Sequence, residues 1–160
     1  LKLNEQEPGR WHGHAVRVRY QETDRMGIVY HANYINWFEI GRTELIRDRG
    51  FPYSRIEETG LYLPVVELES KFHLPAKYDD TISIYTRIVS FNALTVKFES
   101  QIRRQPGHVA TSGSPGNPVE PEGELLVSGA TRHVWLNREW KPVRIDREAP
   151  ELFGLLGDGR

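Results

Sequence analysis

Residues 20–50, YQETDRMGIVYHANYINWFEIGRTELIRDRG, decide how this chain is read. Tyr34, Phe38, Gly41 and Leu45 recur at spacings of four, three and four, which is one face of a helix with about 3.6 residues per turn. Trp37 and Ile40 widen that apolar stripe. Gly50 follows Arg47 and Arg49, so cations occupy the last turn and a residue free to take positive φ ends it. Upstream, Asp24 sits in a turn with Gly27, and Tyr30 and His31 come just before the helical pattern. An acidic side chain is thereby set beside a helix N-terminus, where backbone N–H groups lack partners and partial positive charge accumulates.

Outward from this stretch the periodicity changes. HAVRVRY, 14–20, alternates Val16, Val18 and Tyr20 against Ala15, Arg17 and Arg19, the pattern of a half-buried strand. FPYSRIEETG, 51–60, reads as a connector with a short helix ended by Gly60. From Leu61 to Leu74 apolar residues fall in near alternation, with Pro64 and Pro75 bracketing the strand or marking edges and bulges. TISIYTRIVSF, 81–91, and LTVKFESQIRRQ, 94–105, alternate around Asn92-Ala93 and predict a long antiparallel hairpin. Residues 106–123, rich in Pro, Gly and Ser, predict a long loop. Strand character resumes over 124–136, PVRID is set to pair briefly, and 150–157 suggests a short helix. Consecutive strands without intervening helices imply an antiparallel sheet, and one mostly apolar helix needs a cover. The expected fold class is α+β, a curved antiparallel sheet wrapped around one long helix.

A chain of 160 residues with 38% hydrophobic and 27% charged content fits one domain, 1–160, with residues 1–13 as a loose N-terminal arm. The net charge of −1 gives no electrostatic case for a nucleic-acid partner or an anionic membrane surface. The absence of cysteine excludes disulfides and thiolate catalysis. LKLNEQEPGRWHGH lacks the apolar core of a signal peptide, and no apolar run approaches a membrane span, so a cytoplasmic protein is expected. His12, His14, His73, His108 and His133 are scattered singly, which argues against a metal site. No GxSxG elbow, phosphate loop or dinucleotide fingerprint occurs. Arg103-Arg104 reads as a solvated strand end.

VRYQETDRMGIVYHANYINWFEIGRTELIRDRG resembles the signature of the 4-hydroxybenzoyl-CoA thioesterase family, in its YbgC-type acyl-CoA thioesterase branch. The matching elements are Thr23-Asp24-x-x-Gly27, Val29-Tyr30-His31, Asn33-Tyr34 and Arg42-Thr43-Glu44, and GELLVSGATRHVWLN is similar to the family's later sheet. The resemblance covers most of 14–145. It implies a hotdog fold assembled as a homodimer or a dimer-of-dimers homotetramer, with active sites at the subunit interface. It also implies hydrolysis of an acyl-CoA thioester without metal or organic cofactor.

Thioester hydrolysis needs a group that attacks the carbonyl or activates water, and a site for the oxyanion. A carboxylate can do the first as nucleophile or general base. The family's catalytic aspartate maps onto Asp24 and not onto Glu22. The N–H near Tyr30 or His31 is the expected oxyanion donor, with Gly27 allowing close approach and Val29 and Tyr34 joining it in contact with substrate. His31 is expected to orient substrate or stabilise charge. On residues alone, Thr-Asp before Gly is ordinary turn chemistry, and Glu39 and Glu44 read as solvated or ion-paired. The competing function is a hotdog module that binds acyl chains or a protein partner without turnover.

Overall fold

A computed structural model describes residues 6–106 and 119–157. Residues 1–5 of the expected arm and 107–118 of the expected loop lie outside the described residues. In chain order the elements are β1 (His12–Arg17), a 3-10 turn (Tyr20–Glu22), α1 (Ala32–Asp48), α2 (Tyr53–Glu58), β2 (Val65–Phe72), β3 (Thr81–Phe91), β4 (Thr95–Arg104), β5 (Glu124–Val134), α3 (Ile145–Glu148) and α4 (Pro150–Leu156). The five strands form one antiparallel sheet in the order β1-β3-β4-β5-β2. β3 and β4 make the long hairpin that their alternation predicts.

The α1 stripe is buried where the spacing places it: Tyr34, Trp37, Phe38, Gly41 and Leu45 all face the sheet. The helix packs mainly on β1, β3 and β4. Gly41 lets it come that close, because a Cβ there would stand 2.2 Å from Thr86 Oγ1 and 2.6 Å from Ile84 Cγ2. The core divides along the helix. Its N-terminal half, with Tyr34, Trp37 and Phe38, packs on Val29, Ile82, Ile84, Ile102 and Val127. Its C-terminal half packs Leu45 and Ile46 with Ile88, Phe98, Trp135 and the apolar faces of α2, α3 and α4.

Several expectations shift. β1 stops at Arg17, and Tyr20 turns outward in the 3-10 turn to 79% exposure, because Asp80 and Val18 tie that segment to the 77–80 turn instead of continuing the ladder. Of the expected arm, residues 6–13 are fastened to the sheet: Gly9 N–H donates to Ile88 O and Phe91 N–H to the Gln6 side chain. In PVRID, Pro142 bridges Leu136, but Ile145 already opens α3. Arg104 is no solvated strand end, since it donates to Asp80 at 2.9 Å, to Glu124 at 3.1 Å and to the Pro75 carbonyl.

Candidate active site

The loop from Thr23 to His31 is built by local hydrogen bonds. Asp24 Oδ1 accepts the Met26 N–H at 2.8 Å, the Asp24 N–H donates to Ile28 O at 2.8 Å, and Gly27 N–H returns to Asp24 O at 3.1 Å. Gly27 completes the turn at φ +77°, the left-handed region that favours glycine. Thr23 bridges Val29, and Val29 N–H donates to Ala76 O, which joins the loop to the segment after β2.

A second carboxylate, Glu22, anchors this loop to α1. It is 8% exposed, with Oε1 accepting the Arg19 N–H at 2.8 Å and Oε2 accepting Trp37 Nε1–H at 2.9 Å. Its carbonyl accepts the Tyr30 N–H at 2.9 Å and Asn33 Nδ2–H at 2.8 Å. The Tyr30 N–H is therefore committed. The His31 N–H, at the helix start, donates to no acceptor among the described residues.

These pieces border one cleft of about 260 Å³, lined by Asp24, Met26, Val29, His31, Tyr34, Phe72, His73, Leu74 and Pro75 among others. Four of the six residues singled out from sequence thus meet at it: Asp24, His31, Val29 and Tyr34. Gly27 shapes the turn without lining the cleft. Tyr30 points outward at 49% exposure and packs its ring on His31, with centroids 4.5 Å apart. Tyr34 is buried, and its hydroxyl accepts the Ala76 N–H at 3.0 Å; burial foremost raises its pKa, which keeps it neutral. Phe72 rests against both Tyr34 and His31. His73 hydrogen-bonds Ser128 at 2.9 Å on the other side of the cleft wall. Sequence reasoning did not assign Phe72 or His73 to the site, because only the pairing of β2 with β5 carries them to the helix start.

The thioesterase-like superfamily's sequence profile matches residues 18–150, most of the chain and the whole of this cleft. The chain belongs to the thioesterase-like superfamily. This superfamily member is 35% identical over 137 residues to YneP of Bacillus subtilis, provisionally named an acyl-CoA thioesterase, across 85% of this chain and 88% of that one. It is 33% identical over 93 residues to the Escherichia coli acyl-CoA thioester hydrolase YbgC, across 58% and 67% of the two chains. Its fold matches a DHNA-CoA thioesterase of Staphylococcus aureus with TM-score 0.78 at 27% identity, covering 91% of this chain and 87% of that one. The α+β architecture is thus the hotdog fold of thioester hydrolases. Among the described residues no helix is long and apolar enough to cross a membrane.

Proposed function

We propose that this superfamily member hydrolyses an acyl-CoA thioester to the free acid and CoA. Asp24 is the nucleophile or general base, and the N-terminal end of α1 holds the oxyanion. The observation that carries this reading is the shared cleft: a half-exposed Asp24 carboxylate and the uncommitted His31 N–H border the same cavity. A carbonyl carbon lodged there meets an oxygen on one side and an N–H donor on a helix terminus on the other.

On the general-base route, Asp24 takes a proton from water as its oxygen adds to the thioester carbon. The oxyanion rests on the helix terminus, then collapses and expels the CoA thiolate, which takes up a proton. On the nucleophilic route, an Asp24 oxygen adds to the thioester carbon, the adduct collapses with cleavage of the C–S bond and release of the CoA thiolate, which takes up a proton, and water then cleaves the resulting anhydride to the free acid and the Asp24 carboxylate. Either route runs without a metal or organic cofactor. The His31 side chain stands at the mouth of the cleft, where it orients the acyl group or steadies developing charge, and Val29 and Tyr34 bound the acyl end. Assembly as a homodimer or dimer of dimers in the cytoplasm completes the proposal.

Release of free CoA from short-chain, long-chain and aromatic acyl-CoAs tests it. Asp24→Asn is expected to lose at least about 100-fold in turnover, the low end of general acid–base contributions, while keeping its fold. Equal turnover by the two proteins overturns the Asp24 assignment, and no turnover by either favours a binding module. In a single turnover in ¹⁸O-water, label in the Asp24 carboxylate identifies the anhydride route with water attacking the Asp24 carbonyl, because a general base gains no oxygen from water.

A further inference from the structure

The 160 residues hold one sulfur atom, the thioether of Met26. The Met26 N–H donates to Asp24 Oδ1 at 2.8 Å, and Gly27 closes the same turn at φ +77°. That turn sets the side chain at the cleft, which Met26 lines together with Ile28, Val29, Phe72, Leu74 and Pro75. Met26 is 76% exposed, against 53% for Phe72 and 45% for Leu74, so its thioether is the part of this apolar wall that solvent reaches most freely. An accessible thioether takes up oxygen and becomes a polar, chiral sulfoxide. Its aliphatic and aromatic neighbours on the wall hold no group that reacts in this way.

We propose that Met26 is an oxidation site, at which a peroxide reversibly weakens the cleft's hold on apolar acyl groups. The sulfur lone pair attacks one peroxide oxygen. The S–O bond forms as the O–O bond breaks, and the other oxygen leaves as water. Sulfur loses two electrons and the peroxide gains them. A methionine sulfoxide reductase reverses the change: two thiols are oxidised to a disulfide, and the sulfoxide oxygen leaves as water.

The effect on the cleft follows from polarity. The sulfoxide oxygen is an acceptor set into a wall of carbon. An acyl chain that covers it strips away its water and offers no donor in return. The Asp24 carboxylate that shares the turn is itself an acceptor and cannot satisfy it. The bond from Met26 to Asp24 is made by the backbone N–H, so the turn survives oxidation and the loss falls on binding. This inference rests on the cleft being the acyl site of the reading above, and not on which residue performs the hydrolysis.

Full-length protein is treated with hydrogen peroxide and then freed of it. Peptide mass locates the added oxygen, and hexanoyl-CoA hydrolysis is compared with each protein's own untreated sample. In the wild type, KM is expected to rise at least about fivefold as Met26 gains oxygen, the low end of the cost of covering an unpaired acceptor. Circular dichroism is expected to stay unchanged, and methionine sulfoxide reductase to restore the KM. Met26→Leu, against its own untreated sample, is expected to be insensitive to the same treatment. Met26 that stays unoxidised, or that carries oxygen at unchanged KM, overturns the proposal. So does an equal loss in Met26→Leu, or a loss that the reductase leaves in place. Calorimetry with S-hexyl-CoA, a thioether that cannot be hydrolysed, reads the same change without turnover. Peroxide-sensitive binding of S-hexyl-CoA by a protein that turns nothing over leaves the oxidation site standing and refutes the hydrolysis. Peroxide-insensitive KM beside an inactive Asp24→Asn refutes the oxidation site alone, and no binding before treatment overturns both.

Discussion

Glu22 and Asp24 lie two residues apart and are put to opposite uses. Glu22 is sunk against α1 with both carboxylate oxygens occupied, by the Arg19 backbone and by the Trp37 indole. Asp24 engages only the Met26 N–H and keeps Oδ2 without a partner among the described residues. Hydrogen bonds that hold a group tightly in the ground state oppose its movement into chemistry, so the proposed chemistry falls to the freer carboxylate, while the buried one anchors the loop. Glu22→Ala would leave the buried Trp37 indole N–H without its acceptor, at a cost of about 1–3 kcal/mol. It would also loosen the Tyr30 and Asn33 contacts that fix the helix start. A lowered urea midpoint together with reduced turnover is expected. A variant of wild-type stability would show that Glu22 does not anchor the loop.

At the scale of the element, α1 depends on one residue without a side chain. Gly41 belongs to the apolar stripe by spacing, yet its contribution is the space it leaves for Thr86 and Ile84. Gly41→Ala is expected to destabilise the fold by about 1–3 kcal/mol through overpacking, less the ~1 kcal/mol that alanine gains in helix propensity. Thr86 Oγ1 is buried without a partner among the described residues, so removing it leaves no acceptor unsatisfied. Thr86→Ala should therefore rescue Gly41→Ala, and the two effects should be strongly non-additive in a double-mutant cycle of denaturation midpoints. Simple additivity would place the strain elsewhere.

For the molecule as a whole, the buried His133 ties stability to pH. It is wholly buried on β5 between the Leu63 carbonyl and the Thr131 hydroxyl, with Phe98 edge-on to its ring. The carbonyl can only accept, so Nδ1 carries the proton toward Leu63 and Nε2 accepts from Thr131, the neutral tautomer. Burial first, then the Arg42 charge, lower its pKa from 6.5 to about 4. The folded state thus binds fewer protons than the unfolded chain between those values. Stability is fully present above pH 6.5 and falls as pH drops toward 4, by about 3 kcal/mol at the limit. Urea midpoints at pH 7.5, 5.5 and 4.5 should decline in the wild type and decline less in His133→Gln. Parallel curves for the two proteins would remove His133 from the account.

Whatever is local was already written in the residue order. The four-three-four spacing of Tyr34, Phe38, Gly41 and Leu45 fixed which face of α1 is buried, and strict alternation fixed the β3–β4 hairpin. Glycine fixed the turns at Gly27, Gly50 and Gly60, all with positive φ. The Asp24-to-Tyr34 motif was legible because its parts are near neighbours along the chain. Features that depend on strand order emerged with the folded sheet. Alternation says which side of a strand is apolar and not which strand lies beside it, so the near alternation of Leu68 and Phe72 did not reveal that β2 ends the sheet. The same strand order carries Phe72 and His73 to the helix start, and sets Arg104 against Asp80. The pairing of Glu22 with Trp37 across fifteen residues was likewise hidden, because a glutamate in a turn and a tryptophan in a helix stripe each have an ordinary local reading. Each of these contacts is made between distant segments, and its energy exists only once the sheet has closed around α1.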